Sequence, residues 1–273
     1  MDFTLKKYRQ FLEALIGSGY KLLSYGDYFI ESLPERFVIL RHDVDELANH
    51  ALSMAQLESK LGVKTTYYFR IVKQSNNPEI IRKIAAMGHE IGYHYEDLSM
   101  ADGDYVTAIK TFERNLQYFR SFYPIKTICM HGSSTSKYDN RLLWKKYSLD
   151  DYGVIGEPYL TTDFDKVFYL TDTGYSWDGG KYSVRDVVEN EFGLTFHSTD
   201  EIIDCVKSGN FPAQAMILAH TLWTDNIIKW YLLHIREFCR NRVKLIAQRN
   251  KFISKIYKNI VKLYWNYPKS KIK

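Results

Sequence analysis

Residues 37–46 read FVILRHDVDE, an apolar run that ends in a cluster of charged and polar side chains. The first four residues are apolar and partly β-branched, which predicts a buried strand. Arg41, Asp43 and Asp45 follow at alternate positions, so their side chains lie on one face of that strand. Charges at the end of a buried strand are costly unless they pair or bind a ligand. The stretch therefore predicts a strand that carries a functional site at its carboxyl end.

Strand-like and helical patterns alternate on both sides of this stretch. Residues 46–62 have apolar residues at helical spacing, and residues 77–88 open with Asn77 and Pro78, a cap followed by a Pro in the first turn. Further strands are predicted at 63–71, 89–96, 126–132, 166–174 and 215–223. This alternation predicts an α/β fold with a mostly parallel sheet, either open or closed into a barrel.

The composition is that of one soluble globular domain with a basic extension. The chain has 273 residues, of which 45% are apolar and 25% charged. We expect an N-terminal helical segment over 1–34 joined to a barrel over 35–237, followed by a C-terminal tail over 238–273. The tail contains eleven Lys or Arg and no acidic residue, so the net charge of +5 hides a body with a net charge of −6. An acidic body argues against nucleic-acid binding, which favours a basic face on the folded domain.

The tail can be interpreted in two ways. On a helix its apolar residues from Val243 to Leu263 fall largely on one side, with Lys and Arg on the other, and Trp265 and Tyr267 lie near the end. Such a helix could pack on the barrel with its basic face in solvent. It could instead lie on an anionic membrane, with the aromatic residues at the headgroup level.

The rest of the sequence favours a cytoplasmic protein. No run of about 18 apolar residues predicts a membrane-spanning helix. The N-terminal 20 residues have charges among their apolar positions, as in an amphipathic helix rather than a secretion signal. The three cysteines are odd in number and lack CxxC spacing, so we expect no disulfide framework. We therefore expect a cytoplasmic location, with peripheral contact to the inner membrane face if the tail binds lipid.

Polar residues follow five of the predicted strands. In chain order the strand ends carry Asp43 with Asp45, His94 with Glu96, His131, Asp172 and His220. The carboxyl ends of parallel strands meet at one edge of a sheet, where function collects. Carboxylate and imidazole together suit zinc or another first-row metal, and of two carboxylates one can bind the metal while the other acts as a base. Gly92, two residues before His94, would leave room for a bound group.

In this arrangement the chain resembles the polysaccharide deacetylases of carbohydrate esterase family 4, especially a branch associated with bacterial surface polysaccharides such as O antigen or capsule. RHDVD at 41–45 resembles the first motif of the family, and GHEIGYHYE at 88–96 resembles its second. MILAHTLW at 216–223 is similar to the last motif, and TDTGYSWDG at 171–179 stands where an Asp/Trp motif is expected. The match spans roughly residues 35–225.

The resemblance implies a distorted (β/α)7-type barrel, a divalent metal and hydrolysis of N-acetyl groups from sugars. It implies that Asp43 is the base that activates water and that His220 is the acid that protonates the leaving amine. Asp45 and His94 would be metal ligands, with zinc the expected metal and cobalt or nickel the alternatives. Candidate substrate contacts are Arg41, Glu96, Asp172 and Trp177.

The sequence departs from the family pattern at three points. The two Asp residues, usually adjacent, are separated by Val44, and the family's Arg-containing third motif is replaced by MHGSS at 130–134. The second His of the second motif is replaced by Leu98, which cannot bind a metal. Glu96 and His131 are the candidates for the third ligand, and we choose His131 because an imidazole is the better donor for zinc.

Two functions from different classes fit these residues. The first is a metal-dependent hydrolase that removes an acyl group, most simply N-acetyl, from a saccharide that could be nucleotide-linked, lipid-linked or polymeric. The second is a catalytically silent saccharide-binding module on the same fold. Leu98 favours the second, because a barrel can keep its fold after losing a ligand.

Overall fold

The computed structural model describes residues 1–132, 136–177, 181–183, 185–188, 191–249, 253, 255–257 and 259–260. Within these residues, the strands are β1 (Lys21–Leu23), β2 (Phe37–Val44), β3 (Thr66–Phe69), β4 (Glu90–Tyr95), β5 (Ile128–Met130), β6 (Phe168–Thr171) and β7 (Gln214–Leu218). The helices are α1 (Leu5–Gly17), α2 (Ala48–Lys60), α3 (Pro78–Ala86), α4 (Asp97–Met100), α5 (Tyr105–Arg120), α6 (Pro158–Thr161), α7 (Thr199–Lys207) and α8 (Ile227–Arg249). Short 3-10 helices occupy Gly26–Phe29, Asn140–Lys145 and Asp150–Tyr152.

The seven strands form one curled parallel sheet in the order β5-β4-β3-β2-β7-β6, with β1 added beside the first half of β2. Every strand pairing is parallel. With helices on its outer side, the sheet makes a single α/β domain shaped as an incomplete barrel. The predicted α/β fold, a distorted (β/α)7-type barrel, is confirmed.

The central strand β2 divides the core into an inner and an outer part. All eight of its residues are buried, as expected for a strand covered on both faces. Phe37 and Ile39 point into the barrel, where they pack with Tyr68 and Met216. The alternate residue Leu40 packs outward, in the cluster formed with α1 and α7. Because side chains alternate along a strand, Arg41 and Asp43 continue the inner face and His42 continues the outer one.

Local sequence signals account for the helix starts. Asn77 accepts hydrogen bonds from the backbone N–H groups of the first turn of α3, and Pro78 is the first helical residue. Ser198 caps α7 by accepting from the N–H of Glu201. Both caps are visible in the sequence, and each marks the start of a helix in the structure. Segments without such signals, including β1 and the four-residue α4, are not evident from sequence.

The N-terminal segment packs against the barrel, and helix α8 continues past the expected start of the tail. At the N-terminus α1 packs against α7, and β1 joins the sheet beside β2. The boundary expected at 237/238 falls within the continuous helix α8. Leu263, Trp265 and Tyr267 of the tail lie outside the described residues. Among the described residues, no helix combines the length and the apolar character needed to cross a membrane.

Candidate active site

The parallel sheet brings Asp45, His94 and His131 together at its carboxyl edge. Asp45 follows β2, His94 lies near the end of β4 and His131 follows β5. Asp45 Oδ1 lies 3.5 Å from His94 Nε2 and 3.0 Å from His131 Nδ1. The two ring nitrogens are 3.3 Å apart. One carboxylate oxygen and two imidazole nitrogens therefore converge on one point.

Hydrogen bonds orient the ring of His94 and hold the backbone of His131. His94 Nδ1 lies 2.9 Å from the carbonyl oxygen of Cys129, its neighbour in the β4–β5 register. If Nδ1 donates to that carbonyl, Nε2 is left with its lone pair directed at Asp45. The backbone of His131 is held at both ends, because its N–H donates to Tyr95 and its carbonyl accepts from Asn140 Nδ2, each at 2.8 Å.

The cluster fits a divalent metal. Asp45 Oδ1 is buried without a hydrogen-bond partner although two imidazole nitrogens lie near it. Burial opposes ionisation of this carboxyl, but the neighbouring His131, His94 and Arg70 together outweigh that effect and hold its pKa well below the usual value. A carboxylate with two imidazoles is the donor set of many zinc and other first-row metal sites, with further positions left for water or substrate.

Asp43 stands beside this cluster with a different partner. Its Oδ1 accepts from Arg41 Nη1 at 2.8 Å, while its Oδ2 lies 3.7 Å from His94 Nε2. Arg41 is fully buried and also donates to Tyr159 and lies against Cys129. One oxygen of Asp43 is thus tied to a cation, and the other faces the point where the imidazoles converge.

A second group of possible ligands, Asp43, His94 and Cys129, also lies within reach of a single ion. Arg41 Nη1 is 2.8 Å from both Asp43 and the Cys129 sulfur, so a cation already occupies this position. Burial raises the pKa of the Cys129 thiol well above its usual value, which keeps it protonated and a poor ligand. The Asp45 cluster is the better metal site.

His220 and Asp172 form a separate pair at the ends of β7 and β6. His220 Nδ1 lies 2.7 Å from Asp172 Oδ1, and the other carboxylate oxygen accepts from Trp223 Nε1 at 3.1 Å. Burial lowers the pKa of His220, but the hydrogen bond and charge of Asp172 outweigh it and raise the pKa to about 9. His220 is therefore protonated at neutral pH, with Nε2 as the nitrogen not engaged by Asp172.

The residues expected to contact substrate have internal partners instead. Arg41 and Trp177 are fully buried, and Glu96 and Asp172 are 1% exposed. Glu96 forms a bidentate ion pair with Arg70, with both distances 2.9 Å. Direct substrate contact by these four stays a prediction, and in the structure their polar atoms are directed at other side chains of the protein.

Trp177 and Gly92 are both packed into the core. Trp177 packs in the outer core near Phe3 and Trp223, and its Nε1 donates to Thr199. The space beside Gly92 is not open either, because a Cβ there would come within 2.3 Å of the Tyr68 ring. Its missing side chain makes room for a core tyrosine rather than for a bound group.

Sequence reasoning missed two positioning residues. Arg70 pairs with Glu96 and lies 3.9 Å from Asp45 Oδ1, so it adds a positive charge beside the metal cluster. Tyr159, on α6, contacts Arg41 at 2.5 Å. For Arg41 itself the signal was present, because it shares a strand face with Asp43. No periodicity indicates Tyr159, which reaches the site only through the tertiary fold.

A second polar network lies on the outer face of β2. Both ring nitrogens of His42 face oxygen atoms at 2.8 Å, the carbonyl of Ala219 and the carboxylate of Glu58. Glu58 is fully buried and also accepts from Tyr8, Thr65 and Tyr67. The network therefore connects β2 with the end of β7, one residue before His220.

Comparisons with known proteins give weak likenesses only. No family model matches the chain, and no curated protein matches it. Among solved structures, a peptidoglycan N-acetylglucosamine deacetylase has 16% identity and a TM-score of 0.41, covering 85% of this chain and 90% of that one. A mutant of a CE4 family pseudoenzyme has 13% identity and a TM-score of 0.40, with coverages of 79% and 68%. The CE4 domain of a multidomain xylanase from the hindgut metagenome of Trinervitermes trinervoides has 15% identity and a TM-score of 0.36, with coverages of 77% and 85%.

Likenesses at this level do not establish an activity. The functional assignment therefore rests on the arrangement of the site residues and on the motifs in the sequence.

Proposed function

We propose that the protein is a metal-dependent hydrolase that removes an acyl group, most simply N-acetyl, from a saccharide. The observation that carries this proposal is the convergence of Asp45, His94 and His131 on one point, with Asp43 held beside it by Arg41. A structural ion pair would need only one carboxylate there. Two carboxylates with different partners provide a metal site and a separate base.

The metal would be held by Asp45 Oδ1, His94 Nε2 and His131 Nδ1. Zinc suits this donor set best, with cobalt or nickel as alternatives. When bound, the metal supplies Lewis acidity to the amide carbonyl and to the attacking water. Arg70 and the Cys129 carbonyl hold the ligands in place from behind, as outer-sphere partners do in many metal sites.

Asp43 acts as the general base in this proposal. Its Oδ2 faces the reacting centre and takes the proton of the attacking water, while Arg41 keeps Oδ1 and the whole carboxylate in position. The same ion pair leaves Oδ2 as the carboxylate oxygen that can accept the proton.

His220 acts as the general acid. Asp172 holds Nδ1 and stabilises the imidazolium, so the proton on Nε2 is available for the departing nitrogen. Base and acid therefore come from strands β2 and β7, which are hydrogen-bonded neighbours. Protonation of the nitrogen breaks the C–N bond and leaves a free amine on the sugar and a carboxylic acid.

The saccharide substrate is supported by the order of the sequence motifs rather than by a cleft. RHDVD, GHEIGYHYE and MILAHTLW occur along the chain in the order of the deacetylase family they resemble. A sugar of bacterial surface-polysaccharide biosynthesis, lipid-linked or polymeric and modified in the cytoplasm, is the substrate class that this resemblance favours.

The decisive test compares two neighbouring carboxylates. Asp43→Asn should lower acetate release from N-acetylated oligosaccharides by about a hundredfold or more, while bound zinc is retained. Asp45→Asn should lose both activity and zinc, because it removes a ligand. Acetate release and metal content are measured on the same zinc-loaded samples, with Asp151→Asn, at an exposed position, as the matched control.

The rival function has a distinct outcome. A zinc-loaded wild-type protein that binds N-acetylated oligosaccharides but releases no acetate from any of them is a silent binding module. Retention of zinc in Asp45→Asn together with its loss in Asp43→Asn would mean that the two roles are reversed.

A further inference from the structure

Helix α8 exposes an apolar face. Ile228, Tyr231, Leu232, Ile235 and Phe238 are each more than half exposed, with values of 69%, 56%, 61%, 61% and 60%. Their spacing of three and four residues places them along one side of the helix. We refer to these five residues as the α8 apolar face.

The opposite side of α8 packs on the barrel and is largely polar. Leu233, Glu237 and Asn241 follow one another at four-residue spacing on that side and are buried, so two of the three are polar. Asn241 Nδ2 donates to the carbonyl of Gly174, and Glu237 pairs with Arg240 at 3.0 Å. A surface helix normally buries its apolar side and exposes its polar one. The reversal in α8 indicates that its outer side has a partner.

The surroundings of the α8 apolar face are basic. Lys229 and Arg242 are exposed along the same helix. The acidic residue of α8, Glu237, is neutralised by Arg236 at 3.2 Å and Arg240 at 3.0 Å. From position 238 onward the sequence has eleven basic residues and no acidic one. The partner must therefore offer an apolar surface together with negative charge.

We propose that the α8 apolar face binds an anionic lipid bilayer. Leu232, Ile235 and Phe238 would enter the boundary between headgroups and acyl chains, and Lys229 and Arg242 would contact the anionic headgroups. A second copy of the chain fits less well. Symmetric pairing through this face would bring two basic helices together, and their charges would repel. A bilayer supplies apolar depth and negative charge over one continuous surface.

The test uses the full-length protein and vesicles of phosphatidylcholine with or without phosphatidylglycerol. The protein should sediment with the anionic vesicles, bind the neutral ones more weakly, and be released by salt, which screens the headgroup charges. The triple variant Leu232→Gln/Ile235→Gln/Phe238→Ser should bind anionic vesicles about tenfold more weakly or worse. Because all three side chains are exposed, circular dichroism should show an unchanged fold.

Two control variants separate the contributions. Val106→Gln removes an apolar side chain that is 56% exposed on α5, and it should bind vesicles like the wild type. Lys229→Gln/Arg242→Gln should weaken binding to anionic vesicles and leave binding to neutral vesicles unchanged.

Three outcomes would overturn the proposal. In the first, the wild type fails to sediment with anionic vesicles. In the second, the triple variant sediments as well as the wild type does. In the third, the wild type binds no lipid and forms a concentration-dependent dimer, and the triple variant stays monomeric. The last result would identify the face as a self-association surface. None of these results depends on acetate release, so the test is independent of the proposed activity.

Discussion

Asp43 and Asp45 lie two positions apart and face the same side of β2, yet their neighbours differ in kind. A guanidinium holds Asp43, whereas two imidazoles surround the carboxylate of Asp45. A guanidinium cannot bind a metal and holds a carboxylate in place, while imidazole nitrogens can share a metal with it. At the scale of single residues, the environment rather than the residue type assigns the two roles.

The third ligand can be tested by comparing His131 with Glu96. His131→Ala should weaken zinc binding by about a hundredfold or more, because it removes one of three donors. Glu96→Gln should have a smaller effect, since Glu96 is directed at Arg70 and reaches the cluster only through it. Zinc affinity is measured by competition with a chromogenic chelator. Loss of zinc in Glu96→Gln but not in His131→Ala would assign the third position to Glu96.

In the proposed mechanism, in which His220 is the general acid, the pH dependence of catalysis depends on Asp172. Because Asp172 raises the pKa of His220 to about 9, the general acid is protonated below that pH and loses its proton above it. Asp172→Asn should lower this pKa and move the alkaline limb of kcat/KM to lower pH. A bound divalent cation moves the alkaline limb to lower pH in both the wild type and Asp172→Asn. The readout is therefore the difference between the pH profiles of these two proteins. Coincident alkaline limbs would show that another group is the acid.

The same pair contributes to stability with a defined sign. The pKa of folded His220 is raised, so the contribution of the protonated pair is fully present below pH 6.5, the ordinary histidine pKa, and is lost as the pH rises through about 9.

At the scale of elements, β2 uses its two faces for different tasks. The inner face carries Arg41 and Asp43, and the outer face carries His42, which bonds to Glu58 on α2 and to the carbonyl of Ala219. Ala219 directly precedes His220. The outer network therefore fixes the distance between the strands that bear the proposed base and the proposed acid.

This network should be visible in stability measurements. Glu58→Ala should lower the free energy of unfolding by about 3–5 kcal/mol, because it leaves His42 and several hydroxyl groups buried without their acceptor. Tyr8→Phe removes one donor and should cost about 1–2 kcal/mol. Urea denaturation followed by circular dichroism measures both. Equal effects of the two variants would show that the carboxylate is not the centre of the network.

The charge of Glu58 also predicts how this stabilisation depends on pH. Burial opposes its ionisation, but His42 outweighs burial and lowers the pKa of Glu58. The stabilisation is therefore present above the ordinary glutamate pKa and is lost as the pH falls through the lowered value. The difference in stability between wild type and Glu58→Ala should shrink in acid.

Elements were predictable where local chemistry determines them. The apolar run that ends in RHDVD predicts β2, and Asn77 with Pro78 predicts the start of α3, because both signals act within a few residues. β1 was not predictable in this way. Its three residues become a strand only by pairing with Phe37–Ile39, a contact made through the tertiary fold.

Leu98 illustrates the same limit at the site. The family pattern places a metal-binding His at this position, but Leu98 lies on α4 and is fully buried among the apolar residues of the outer core. His131, from a different strand end, stands near Asp45 instead.

At the scale of the whole molecule, the location of the site was predictable and its supporting contacts were not. A parallel sheet gathers its carboxyl strand ends at one edge, so a list of strand-end acids and histidines anticipates the cluster. The links from Arg41 to Tyr159 and from Arg70 to Glu96 join residues far apart in the chain. No local pattern reports such pairs, because they depend on which strands become neighbours.

Helix α8 connects the proposed lipid-binding face with the proposed metal site. Arg236 and Arg240 on this helix contact Glu46, at 2.5 Å and 3.5 Å, and Glu46 is the residue after Asp45. A shift of α8 on a bilayer would therefore be transmitted to the backbone that positions the carboxylate of Asp45. Thermodynamic reciprocity then requires that any effect of the bilayer on zinc affinity be matched by an equal effect of zinc on bilayer affinity. Through Glu46, binding of α8 to a bilayer would change the affinity of the proposed metal site.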